Sequence, residues 1–126
     1  MSVVLFNCLL PGRLLVWKVP DDGLDFVPIR SWTPHRGAIT ALTNTWRHVI
    51  TCGDDGYILL WDINNLVRVR SIHIQQWCNA RGIMDRPDIP RRLKCMFVKE
   101  DHNQGGLLAV GTSYGEVVIM SIGCYV

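Results

Sequence analysis

The stretch from His35 to Asp62, HRGAITALTNTWRHVITCGDDGYILLWD, constrains the possible folds of this chain more than any other. Apolar residues at Ile39, Ala41 and Leu42 give way to a polar break from Asn44 to His48, and then Val49 and Ile50 run into Gly53, Asp54, Asp55 and Gly56. An Asp-Gly pair between two apolar runs is a strong hairpin signal. A tight turn needs backbone with positive φ, which glycine accepts freely and aspartate better than most residues. Beyond the turn, Tyr57 to Leu60 lead into Trp61 and Asp62. Three short strands with tight connections predict an antiparallel meander.

These residues resemble the repeat of the WD-repeat β-propeller family. That repeat opens near a Gly-His pair, carries an aspartate in the turn between its second and third strands, and closes on Trp-Asp. Here Pro34-His35 stands where Gly-His is usual, Asp55-Gly56 fills the turn and Trp61-Asp62 closes the repeat. The resemblance implies a structural hydrogen-bond network of His35, Thr51, Asp55 and Trp61. In it the aspartate bonds the histidine, the histidine bonds the hydroxyl, and the hydroxyl meets the indole N–H. Such closure matters because a buried polar atom without a partner costs about 1–3 kcal/mol. Hydroxyl, histidine and carboxylate are also the parts of a nucleophilic triad, but the spacing fits the repeat and gives each residue a structural role.

The pattern recurs on both sides. Leu14 to Val19 repeats Leu59 to Ile63, and Gly12 and Trp17 stand 44 residues before Gly56 and Trp61, a period expected of propeller blades. Pro11 replaces the turn aspartate and Lys18 the closing one, so the network is not expected in this first unit. Val3 to Cys8 is the preceding strand, with no room for an innermost one, so the chain is expected to begin inside a blade. Pro20 to Gly23 reads as a turn and Leu24 to Trp32 as the outermost strand, where Pro28 fits because proline cannot donate to a central ladder. Leu66 to Ile72 alternates apolar with basic residues, which makes Arg68 and Arg70 a solvated edge. In the third unit, Leu107 to Met120, Tyr114 takes the aspartate position and Met120-Ser121 replaces Trp-Asp. Gly56 to Gly115 is 59 residues, and the excess falls in the connection from His73 to Arg92 and in the hairpin Lys99 to Gly106.

That connection, HIQQWCNARGIMDRPDIPRR, reads as a long loop without regular structure. Arginine beside an aromatic is a common composition for binding hot spots, so Trp77, Arg81, Arg86, Arg91 and Arg92 are the candidate partner-binding residues. The alternative is that Trp77, Ile83 and Met84 pack under the loop and the arginines are solvated.

Composition removes most other classes. At 126 residues, 48% of them apolar, the chain is one small domain's worth with material for a core. A net charge of +2 argues neither for nor against nucleic acid, but a polynucleotide groove would be expected to show a larger basic excess and several stacking aromatics, and Asp85 and Asp88 interrupt the basic cluster. There is no glycine-rich phosphate loop, catalytic carboxylate pair or H-E-x-x-H motif, so no catalytic residue and no cofactor is expected. The five cysteines, Cys8, Cys52, Cys78, Cys95 and Cys124, include no C-x-x-C pair; no metal site is expected, and each reads as a small buried hydrophobe in a reducing compartment. No apolar run reaches about 18 residues, and MSVVLFNCLL lacks a basic leader and cleavage site. The expected setting is intracellular and cytoplasmic, with the nucleus as an alternative, and without a membrane.

Together these readings predict an all-β chain of antiparallel four-stranded blades, an incomplete WD-repeat β-propeller of about ten strands. Residues 3–33 would form a partial blade, 34–72 a complete one, 73–92 a connecting insertion and 93–122 a second partial blade. The resemblance implies a non-catalytic protein-protein interaction scaffold in a multi-protein assembly, with other proteins or further blades of the same propeller as partners. The alternatives are a propeller segment of an RNA-associated complex or of a multidomain enzyme.

Overall fold

Apolar runs bounded by tight turns become most of the strands. A computed structural model describes residues 3–9, 11–20, 25–83, 89–101 and 105–123. Among them are ten strands: β1 (Val3–Leu9), β2 (Arg13–Val19), β3 (Val27–Trp32), β4 (Ile39–Asn44), β5 (His48–Gly53), β6 (Tyr57–Asp62), β7 (Arg68–His73), β8 (Leu93–Asp101), β9 (Gly105–Thr112) and β10 (Val117–Gly123). They form three antiparallel sheets in the orders β1-β2-β3, β4-β5-β6-β7 and β10-β9-β8. The all-β expectation holds, and Pro28 lies on an edge strand.

The sheets repeat one another in their irregularities as well as in their strands. The β2–β3 register shifts between Val16 and Trp17, and the β6–β7 register between Leu60 and Trp61, the residue 44 positions on. At the other side, β4–β5 shifts between Ile39 and Ala41 and β8–β9 between Leu93 and Cys95. A bulge re-aims its strand and raises the local twist, so its return at the same place marks one architectural unit. Each unit also turns on a glycine with positive φ: Gly12 at 99°, Gly56 at 78° and Gly115 at 77°. By these marks the first sheet matches β5-β6-β7 and the third matches β4-β5-β6.

The central sheet is covered on both faces, and this explains its unbroken apolar runs. All six residues of β5 are buried. Val49, Leu59 and Trp61 form one core with Phe6 and Trp32 of the first sheet. Their neighbours Ile50, Cys52, Ile58 and Leu60 face the other way, onto Leu108, Val110, Val118 and Met120 of the third sheet. Successive strand side chains point to opposite faces, so a two-sided sheet must be apolar at every position.

Two strand limits differ from those expected. The outer strand of the first sheet begins at Val27, paired with Lys18, and Asp25 and Phe26 before it are not in the ladder, while Leu24 lies outside the described residues. The outer strand of the central sheet starts at Arg68 rather than Leu66, because Leu66 has φ 59° and the Val67 carbonyl is turned back to accept from Asp62 N at 2.9 Å.

The connection after β7 is not an irregular loop. It opens with helix α1 (Ile74–Ala80), capped by the His73 ring accepting from Gln76 N, and closes with Arg81 N donating to the Cys78 carbonyl. Ile74 and Cys78, one helical turn apart, are buried in the core shared by the central and third sheets. No helix among the described residues is long and apolar enough to cross a membrane.

Candidate functional site

The central sheet brings together the four residues assigned to a network. The segment before β4 carries His35, β5 carries Thr51, the β5–β6 turn carries Asp55, and β6 carries Trp61. His35 Nδ1 lies 3.0 Å from both Asp55 oxygens, His35 Nε2 lies 2.8 Å from Thr51 Oγ1, and Trp61 Nε1 donates to the same hydroxyl at 3.2 Å. One arrangement satisfies every donor: Nδ1–H donates to the carboxylate, the hydroxyl donates to Nε2, and the indole donates to the hydroxyl. Asp55 also accepts from Arg36 N and Tyr57 N, at 3.1 Å each, and so fixes the turn itself. Thr51 is 0% and His35 1% exposed. A hydroxyl so enclosed offers no approach to a substrate, and the triad composition here braces the sheet.

The third sheet carries a second network that the sequence reading missed. Arg91, expected as a partner-binding residue on a loop, is 1% exposed. Its Nε donates to Glu116 Oε1 at 2.6 Å and its Nη2 to Oε2 at 3.0 Å, while Thr112 Oγ1 donates to Oε1 at 2.8 Å. The paired Arg91 guanidinium, helped by Thr112, holds the Glu116 carboxyl below the usual carboxylate range, and Glu116 raises Arg91 in turn. A buried basic side chain from the segment before the first strand of the sheet thus grips an acid from the turn between the second and third, as His35 grips Asp55. The available signal was an acid directly after the turn glycine, Gly115-Glu116, with Arg91 two residues ahead of β8.

The other candidates in the connection separate. Trp77 is half-buried on α1, and the Arg81 guanidinium lies 3.7 Å over its ring while donating to the Trp77 carbonyl. Arg92 is exposed, and its backbone pairs with Ser113, N to Oγ and O to N, at 2.9 Å each. Tyr114 OH donates to the Ile89 carbonyl, so residues 89–92 are fastened to the third sheet. Arg86 and Met84 lie outside the described residues, as do Cys124 and all but Pro20 of the turn expected from Pro20 to Gly23.

Cys52 and Cys78 are buried as expected, and burial pushes the Cys52 thiol up to about 11. Cys8 and Cys95 are instead exposed. Among the described residues no group of His, Cys, Asp or Glu is placed to hold a metal ion.

The outer face of the third sheet is apolar although it is exposed. Phe97, Ala109 and Ile119 form one cross-strand row, with Phe97 69% and Ile119 64% exposed. Leu107 and Val117 extend the face and are also exposed. β10 alternates exposed and buried although Val117 to Met120 are all apolar. A sheet with one face in water normally alternates polar with apolar residues.

No family model and no curated protein matches the chain. Among solved structures it is similar to a crystal structure of the computationally designed Ika8 protein, crystal packing No. 1 in P63, with a TM-score of 0.51 at 19% identity. That similarity covers 94% of this chain and 43% of the designed one, so the chain spans less than half the length of the structure it matches.

Proposed function

We propose that the chain is a segment of a WD-repeat β-propeller and acts as a non-catalytic protein-protein interaction scaffold within a larger assembly. The observation that carries this reading is the apolar outer face of the third sheet. Burying a side chain such as Phe97 or Ile119 is worth about 1.5–3 kcal/mol, and the central sheet is an example of how such a face is covered, by another sheet of the same kind. Further support comes from the His35-Asp55-Thr51-Trp61 network and from the bulges and turn glycines that return from unit to unit. Partners are other proteins or further blades, and Trp77, Arg81 and Arg92 are additional contact residues on the connection.

Sedimentation equilibrium over a dilution series tests this. The chain should associate with rising concentration, and a Phe97→Ser, Ile119→Ser double variant should remain monomeric with an unchanged circular dichroism spectrum. A parent chain that is monomeric and cooperatively folded at every concentration would show that the face needs no cover.

A further inference from the structure

A cleft between the first and central sheets is lined by more charged donors than carboxylate acceptors among the described residues. It has a volume of about 530 Å³ and is lined by residues including Arg30, Trp32, Trp61, Leu66 and Arg68, within the range of ~300–1,000 Å³ typical of ligand sites. It opens between β3 and β7, both of them edge strands.

Its walls are held in place before any ligand arrives. Trp32 meets Trp61 edge-on at 5.3 Å between ring centroids, and the Arg30 guanidinium sits 4.0 Å over the Trp32 ring. Arg30 Nη1 also donates at 2.7 Å to the carbonyl of Leu66, the residue with φ 59°. A bulky side chain rarely takes that conformation, and here it aims a carbonyl at the arginine.

The chemistry of the lining is one-sided. Among the described residues no Asp or Glu lines the cleft, and neither Arg30 nor Arg68 forms an ion pair. Among the described residues the buried Trp32 Nε1 has no acceptor. A guanidinium offers up to five donors and no acceptor, and an indole only a donor, so the cleft asks for anionic acceptors. Val67, also in the lining, is more than half exposed and suits an apolar side chain.

We propose that this cleft is a docking site for an extended acidic peptide segment, its carboxylates on Arg30 and Arg68 and one aliphatic side chain against Leu66 and Val67. An extended chain can lie along the open edge of β7, as peptides do when they add to a sheet edge. A polynucleotide is a poorer match, since Arg30 already covers the Trp32 face that a base would stack on. The inference is independent of the scaffold reading, which rests on the third sheet.

Fluorescence anisotropy of a labelled glutamate-rich peptide bearing one leucine tests the assignment. The full chain should bind it, Arg68→Gln should weaken binding about tenfold, and Arg70→Gln, an exposed arginine of the same strand outside the lining, should not. A peptide with serine in place of leucine should bind more weakly. The proposal is overturned if the peptide does not bind, if both arginine variants lose affinity equally, if leucine is irrelevant, or if a single-stranded oligonucleotide of equal charge binds as tightly.

Discussion

Asp55 serves three donors, the His35 ring and the backbone N–H groups of Arg36 and Tyr57. Asp55→Ala or His35→Ala should therefore cost about 1–3 kcal/mol, the cost of leaving buried partners unmet, read as a fall in the urea midpoint at constant slope. Thr51→Val should act in the same direction, since it strands both His35 Nε2 and the Trp61 indole. This network was legible in the sequence because all four groups occur in one repeat at the family's spacing. The Arg91–Glu116 pair was not, because Tyr114 occupies the expected acid position, the acid is moved beyond Gly115, and Arg91 sits among other arginines. The pair has its own pH signature. Glu116 has a depressed carboxyl in the folded chain, so its stabilisation is complete above the unfolded value of about 4.3 and is lost as pH falls through the folded value. Unfolding curves across acid pH should show the parent losing stability and converging on Glu116→Gln, whose own stability changes less.

At the scale of elements, the turn glycines differ in what surrounds them. A Cβ at Gly115 would meet nothing within 4 Å, at Gly56 it would lie 3.1 Å from the Arg91 carbonyl oxygen, and at Gly12 it would lie 2.3 Å and 2.4 Å from the carbonyl oxygens of His35 and Gly37. Gly115→Ala should thus cost only the left-handed backbone penalty, about 1–2 kcal/mol. Gly56→Ala should cost more, and Gly12→Ala most, because backbone must move; thermal unfolding of the three variants checks the order. The inner strands were readable because most are apolar runs bounded by turn residues. Helix α1 was not, since seven residues give barely two turns of periodicity and its start is a histidine cap rather than a serine or aspartate. What decides its helical state is tertiary: Ile74 and Cys78 anchor it in a core built by other strands.

For the whole molecule, the central sheet was the most readable part of the fold and the relation between sheets the least. Unbroken apolar runs in β5 and β6 announce two covered faces, but similar runs in β10 did not reveal that one face would stand open in this chain. β5 combines a hydrogen-bonded neighbour on each edge with a packed sheet on each face. Its amide protons therefore have no local route to solvent. In deuterium exchange they should wash out only at the rate set by global unfolding, whereas the amides of β10, whose outer edge and outer face are both open, should exchange through small local openings with much less dependence on denaturant. The protein's clock for complete opening is then written in one strand, His48–Gly53, and a label lost from that strand at the same pace as from β10 would mean that the three sheets do not unfold as separate layers around a last-to-open centre.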